Sequence, residues 1–183
     1  MYELPKGNLI SHLEGTYTRK AAFSPDGAWL VASSWEHVSS PDLINFSNGE
    51  SILGFEFSNF RYLDGRMISQ YAFSPDKTWV GIVANPWNDP STLEIINTST
   101  GNAEKSFSFE KDKLVSLAFS SDSKLVAVGQ NNGHIVLINL TDMKIITILE
   151  GHKSAVTSLA FSQDGRSIVS IGLDGILKIW ASP

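Results

Sequence analysis

The pentad Ala-Phe-Ser-x-Asp occurs four times, as Ala22-Phe23-Ser24-Pro25-Asp26, Ala72-Phe73-Ser74-Pro75-Asp76, Ala118-Phe119-Ser120-Ser121-Asp122 and Ala160-Phe161-Ser162-Gln163-Asp164. Its phenylalanines are 50, 46 and 42 residues apart. A near-constant period of this length marks a repeat architecture, in which each copy is one supersecondary unit. Such a unit cannot bury its apolar surface alone, so it must stack on its neighbours. Most folds are excluded before any other residue is weighed.

The surroundings of the pentad repeat too. An apolar strand runs into it, as in Leu114-Val115-Ser116-Leu117-Ala118-Phe119. The Ser-x-Asp that follows is turn chemistry. Pro25 presets φ, Asp26 can bond its own backbone and Gly27 tolerates positive φ. A second apolar strand comes next, seen in Leu30-Val31-Ala32, Val80-Gly81-Ile82-Val83, Leu125-Val126-Ala127-Val128 and Ile168-Val169-Ser170-Ile171. A third ends in Ile44-Asn45, Ile96-Asn97, Ile138-Asn139 or Ile179-Trp180, and a turn with Gly49 or Gly101 leads to a fourth. The fourth is clearest in Ile145-Ile146-Thr147-Ile148-Leu149.

Each unit therefore reads as four antiparallel strands in an up-and-down meander. The strands are close to continuously apolar, which predicts sheets covered on both faces. A four-stranded unit of about 40–45 residues stacked on copies of itself is a β-propeller blade. The expected fold is all-β, with four blades visible in a half or partial propeller. The blade boundaries fall at 16–59, 60–110, 111–150 and 151–183, the last holding three strands, while 1–15 read as a lone fourth strand. Residues 2–15 echo 138–151, with Leu13-Glu14-Gly15 laid on Leu149-Glu150-Gly151. Phe23, Phe73, Phe119 and Phe161 are expected in the core, and Trp29 and Trp79, at matching positions, between blades.

The last unit carries the family signature. Gly151-His152, Leu159-Ala160-Phe161-Ser162 with Asp164-Gly165, and Asp174-Gly175-Ile176-Leu177-Lys178-Ile179-Trp180 together resemble a WD40 repeat over its whole length. The first three units lack Gly-His and place Asn45, Asn97 and Asn139 where the family has the Asp of Trp-Asp, with Ile in place of the Trp. Their Phe-Ser-x-Asp turn, complete as Phe-Ser-Pro-Asp-Gly in the first unit, is also similar to that of TolB-like and prolyl-peptidase propellers. The WD40 resemblance implies a structural tetrad of His152, Ser170, Asp174 and Trp180. Those residue types also spell a Ser-His-Asp triad. No nucleophile elbow or oxyanion hole surrounds them, so buried polar groups paired for stability are the expectation. Asn132-Gly133 holds the turn position of Asp174-Gly175 in unit three, without the His or Trp.

The chain closes on Trp180 and opens on a lone fourth strand, which could complete the last blade, as WD40 rings commonly close. Three arrangements are open: missing blades upstream in a longer propeller, two chains pairing into an eight-bladed ring, or four blades closing alone. An unpaired third strand would otherwise be an edge prone to pairing.

Composition narrows function mostly by exclusion. A net charge of −5 and the lack of any Lys/Arg run argue against nucleic acid and against a membrane surface. No apolar stretch reaches the length of a membrane span. With no cysteine there is no disulfide, thiolate metal site or Cys nucleophile. His12, His37, His134 and His152 lie at no metal-ligand spacing, so no metal and no cofactor are expected. A cytoplasmic location is the expectation, although a start inside a repeat could have lost a signal peptide.

The departures from the repeat point to binding. Units one and two are longer than the others, with extra residues between the second and third strands and in the connection from unit one to unit two. These segments hold Trp35, His37, Arg61, Tyr62, Arg66, Trp87, Asn88 and Asp89. Trp, Tyr and Arg dominate interface hot spots. The expected activity is a non-enzymatic scaffold that binds a protein or peptide through these loops. The alternatives are an accessory propeller of a larger enzyme, of the TolB-like or peptidase-associated kind, or a purely structural segment. Trp35 and Trp87 could equally fold back over apolar blade tops.

Overall fold

The computed structural model describes residues 21–32, 42–45, 51–52, 68–86 and 90–183. They form four antiparallel sheets and no helix. Sheet one holds β1 (Ala21–Phe23), β2 (Trp29–Ala32), β3 (Asp42–Asn45) and β4 (Ser51–Ile52). Sheet two holds β5 (Ile68–Phe73), β6 (Trp79–Ala84), β7 (Ser91–Asn97) and β8 (Ala103–Phe109). Sheet three holds β9 (Leu114–Phe119), β10 (Leu125–Gln130), β11 (His134–Asn139) and β12 (Lys144–Glu150). Sheet four holds β13 (Val156–Phe161), β14 (Ser167–Gly172) and β15 (Leu177–Ala181). Each sheet is an up-and-down meander in chain order. These are blades of a partial β-propeller, and among the described residues the sheets do not close into a ring. The expected lone strand at 1–15 lies outside the described residues.

The recurrent Ser-x-Asp forms the same turn four times. In the first, Ser24 Oγ donates to Asp26 Oδ1 at 2.6 Å, Asp26 Oδ1 accepts from the Ala28 N–H at 3.1 Å, and Ser24 Oγ accepts from the Trp29 N–H at 2.9 Å. Ser74/Asp76, Ser120/Asp122 and Ser162/Asp164 repeat all three bonds. The residue after each Asp is left-handed, with φ of 72° at Gly27, 68° at Lys77, 60° at Ser123 and 71° at Gly165. Lys77 and Ser123 adopt this disfavoured region and use their side chains to join sheets. The Lys77 ammonium lies 2.8 Å from Asp26, and Ser123 Oγ accepts the Asp76 N–H at 3.0 Å. Lys77 holds the Asp26 carboxyl well below the usual carboxylate range, with help from Ser24. This ion pair is exposed. Lys77→Ala is expected to lower the urea midpoint slightly, and the difference should vanish in ~1 M salt, where the Debye length is about 3 Å.

Alternation along each strand gives every sheet two faces, and apolar residues on both faces make the stack cohere. Between sheets one and two lie Val31, Ile68, Val80, Ile82, Ala84 and Ile96, with Trp29 and Phe73 against them. Between sheets two and three lie Leu93, Ile95, Phe107, Leu114, Phe119, Val126 and Val136, with Trp79 packed alongside. Between three and four lie Ala127, Ile135, Leu137, Val156 and Ile168, backed by Phe161 and Trp180. Thus Trp29 and Trp79 each face the following sheet, and the pentad phenylalanine faces the preceding one. Phe119 is buried, and Phe73 and Phe161 are half-buried. Phe23 departs from the expectation: it is 58% exposed. Its face is the first of the stack, with no earlier sheet among the described residues to cover it. Among the described residues, sheets two and three are covered on both faces by neighbouring sheets.

Polar side chains also join the sheets. Ser116 Oγ donates to the Val156 carbonyl at 2.7 Å, and Gln70 Nε2 to the Val115 carbonyl at 2.8 Å. No side chain fits at Gly129, whose Cβ would collide with Ser116 Oγ and Val156.

Candidate functional site

Meander topology fixes which connections share an end. The link from second to third strand and the link from one sheet to the next emerge together, opposite the Ser-x-Asp turns. Three such connections are 33–41, between β2 and β3, 53–67, between β4 and β5, and 85–90, between β6 and β7. They contain all eight candidate binding residues: Trp35 and His37 in the first, Arg61, Tyr62 and Arg66 in the second, Trp87, Asn88 and Asp89 in the third. Those eight lie outside the described residues.

What borders them is well defined. Asn85 uses its carboxamide as an extra peptide group: its Oδ1 accepts the Leu114 N–H at 2.9 Å and its Nδ2 donates to the Leu114 carbonyl at 2.6 Å. It also donates to Ser69 Oγ at 2.8 Å. Lys113 Nζ donates to the Pro86 carbonyl. The Lys113 backbone is held on its other side by Asn131, whose Oδ1 accepts at 3.0 Å and whose N–H donates at 2.9 Å. The stem next to Trp87 is thus tied to sheet three by side chains and backbone together. The sequence reading missed this anchor, because a lone Asn after an apolar strand has no distinctive pattern.

The structure brings His152, Ser170, Asp174 and Trp180 together at the same end. Trp180 Nε1 donates to Ser170 Oγ at 2.8 Å, and Ser170 Oγ lies 2.8 Å from His152 Nε2. His152 Nδ1 is 3.0 Å from both Asp174 oxygens. The indole can only donate and the carboxylate can only accept, so the donors run from Trp180 through Ser170 and His152 to Asp174. Asp174 also accepts the N–H groups of Lys153 at 2.9 Å and Ile176 at 3.1 Å. Two glycines make room. A Cβ on Gly172 would lie 2.6 Å from both Asp174 Oδ1 and His152 Nδ1, and one on Gly151 would lie 2.8 Å from the Trp180 ring. Ser170 is fully buried in mid-strand with its oxygen already engaged. That hydroxyl has no path to a substrate, and its geometry is that of a structural link.

The Lys153 N–H, foremost, with His152 and the Ile176 N–H, lowers the Asp174 carboxyl from 3.8 to about 2, against the opposing effect of burial. A carboxyl depressed on folding stabilises above its unfolded value, and that contribution is lost as pH falls through the folded one. Asp174→Asn is therefore expected to flatten the stability profile between pH about 4 and about 2. Acid titrations of both proteins by circular dichroism would check this, and parallel curves would refute it.

Units two and three replace the tetrad with packing. Strand register matches Ser170 to Ile82 and Val128, and Trp180 to Ile96 and Ile138. All four aliphatic residues are in the core. Beside the tetrad, Leu173 is 70% exposed and Ile176 is also exposed, apolar residues the sequence reading did not single out. Among the described residues no cluster of His, Asp or Glu is arranged to hold a metal, and no helix is long and apolar enough to cross a membrane.

Residues 5–38 and 143–181 match the family model of the WD domain, G-beta repeat. The chain is 31% identical over 111 residues to WD repeat-containing protein SL1-17 of Schistosoma mansoni, covering 60% of this chain and 35% of that protein. It is 30% identical over 90 residues to Target of rapamycin complex subunit LST8 of Saccharomyces cerevisiae, covering 49% and 30%. It is 34% identical over 168 residues to the U3 small nucleolar RNA-associated protein 18 homolog of Arabidopsis thaliana, covering 92% and 21%. The chain thus spans about a third of the length of the first of these relatives. Repeated blades, the buried tetrad and these matches agree: the chain belongs to the WD40-repeat family.

Proposed function

We propose that this protein is a non-enzymatic scaffold that binds a protein or peptide at the end of the stack where the long connections emerge. WD40-repeat proteins are generally non-catalytic scaffolds. The observation that supports the reading is topological: the described strands that flank 33–41, 53–67 and 85–90 meet these connections at the same end of the meander, and the connections hold Trp35, Trp87, Tyr62, Arg61 and Arg66 in sequence. Aromatic and Arg side chains supply most hot-spot energy at interfaces. The anchored Asn85–Leu114 stem and the exposed Leu173 extend the same end. Two relatives support assembly as the role, one named as a complex subunit and one as associated with a small nucleolar RNA. The partner proposed here is a protein, because the chain carries a net charge of −5. A cytoplasmic setting is part of the proposal.

The test compares binding with stability. A partner captured by the parent chain is titrated against Trp35→Ala, Trp87→Ala and Arg61→Ala. Affinity at least ~10-fold weaker with an unchanged urea midpoint supports the surface. Unchanged affinity with a lowered midpoint would mean that the tryptophans only cover the blade tops.

A further inference from the structure

Sheets two and three each end in a fourth strand, β8 and β12, that lies at the edge of its sheet. Among the described residues no further strand pairs with either edge. Such an edge presents unpaired backbone groups, and proteins guard it with charged side chains. Sheet two does so and sheet three does not. Strand register lays β8 on β12 residue for residue, each with one bulged residue, Glu104 in β8 and Ile146 in β12. Where β8 holds Glu104, Lys105 and Ser106, β12 holds Ile146, Thr147 and Ile148. Glu104 and Lys105 stand exposed on β8. On β12, Ile145, Ile146 and Ile148 are 48%, 43% and 49% exposed. Both strands carry the bulge, so side chains alone distinguish the two edges. Beyond it, Thr147 to Glu150 pair with β11 without interruption. The strand contains no Pro or Gly, and Lys144 and Glu150 cancel in charge. That is the composition of segments that build sheets between molecules.

We propose that the outer edge of β12 docks β12 of a second copy of this chain, the two strands joining sheet three of each copy into one continuous antiparallel sheet. The occupant follows from the strand's complementarity to itself. Lys144 opens it and Glu150 closes it, and both are exposed. An antiparallel alignment about a two-fold axis at Thr147 sets Lys144 of each copy beside Glu150 of the other. The same alignment sets Ile146 beside Ile148 and Thr147 beside its own counterpart. Opposite charges and β-branched residues are favourable cross-strand pairs. A parallel alignment in register would instead set Lys144 beside Lys144 and Glu150 beside Glu150. Within its own chain Lys144 is loosely held, with its ammonium 3.9 Å from the Asp142 carboxylate and both side chains largely exposed. The contact is isologous, so it uses the edge of both copies, closes at two and does not propagate. A single pair of short strands buries less than a standard interface, which makes the dimer a weak one. No residue of the long connections takes part, so its failure leaves the proposed binding role untouched.

The experiment is sedimentation equilibrium of the 183-residue chain between ~5 and ~500 µM, a range suited to a weak dimer. The mass should rise with concentration from 20.0 kDa towards twice that value. Amide hydrogen exchange in β12 should slow over the same range. Ile146→Glu and Thr147→Lys give β12 the residues that β8 holds at the same positions, so the blade has room for both. Each should weaken association at least ~10-fold by guarding the edge with charge. Ile148→Lys should do the same alone. Mixed with Ile146→Glu it should restore association, because the antiparallel register sets the introduced carboxylate beside the introduced ammonium. Circular dichroism and urea midpoints at the lowest concentration establish that each variant folds. A parent chain that stays at 20.0 kDa throughout overturns the proposal. So does a dimer that survives Ile146→Glu and Thr147→Lys, one whose β12 amides exchange no more slowly, or a mixture of the two complementary variants that remains monomeric.

Discussion

Replacing Leu137 by alanine is expected to remove about 2–5 kcal/mol of stability. Leu137 is fully buried on β11, between sheets three and four, among Ala127, Ile135, Val156 and Ile168. Its loss deletes apolar contact on the single seam that holds sheet four to the rest. The sheets on either side are braced by their own ladders, so the void cannot collapse cheaply. Ile146 on the neighbouring β12 supplies the control. It is an aliphatic strand residue of similar size but exposed, and Ile146→Ala should change stability by no more than about 0.5 kcal/mol. Urea unfolding of both variants reads the difference directly. Equal losses would mean that Leu137 does not lie on a packed seam.

Glu94→Leu is expected to stabilise the protein by about 1–3 kcal/mol at pH 7, an unusual direction for a core substitution. Glu94 on β7 is 0% exposed and faces sheet one beside Ile82 and Ile96. Neither carboxyl oxygen has a hydrogen-bond partner. Ser106, directly opposite on β8, exerts a small opposing influence but falls short of a hydrogen bond. Burial therefore pushes the carboxyl above its usual value of 4.5. For an acid raised on folding, the unfolded chain ionises first as pH increases, so the folded state loses ground with rising pH. The gain from Glu94→Leu should thus be largest near neutrality, shrink as pH falls towards 4.5, and level off below it. Unit three already carries the apolar alternative, since register makes Val136 its equivalent. A loss of stability in Glu94→Leu, equal at pH 4 and pH 7, would show that the carboxyl is bonded after all.

The tetrad was legible through the WD40 resemblance: Gly151-His152, Ser170, Asp174 and Trp180 match the family's motif positions, and the resemblance implies their pairing. The shared turn was legible from the residues themselves: Ser24 and Asp26 act over two to five residues, within reach of local geometry. The Asn85 anchor was not. It pairs residues 29 apart in sequence, and nothing local in Ala84-Asn85-Pro86 states where Leu114 will be. The exposure of Phe23 was not legible either, because the Ala-Phe-Ser-x-Asp pentad around it recurs at the buried Phe119 and the half-buried Phe73 and Phe161.

Sequence alone determined the strands, their order and the turns between them, since these depend on periods of two and on contacts within one unit, and its WD40 resemblance supplied the tetrad residues. The tertiary structure decided how far each of the four pentad phenylalanines is covered, that Leu177 and Ile179 are exposed on β15, and that Glu94 is enclosed without a donor. Burial belongs to a face and its neighbour together, so a repeat that writes the same residues into every unit cannot say which copies of a residue are covered.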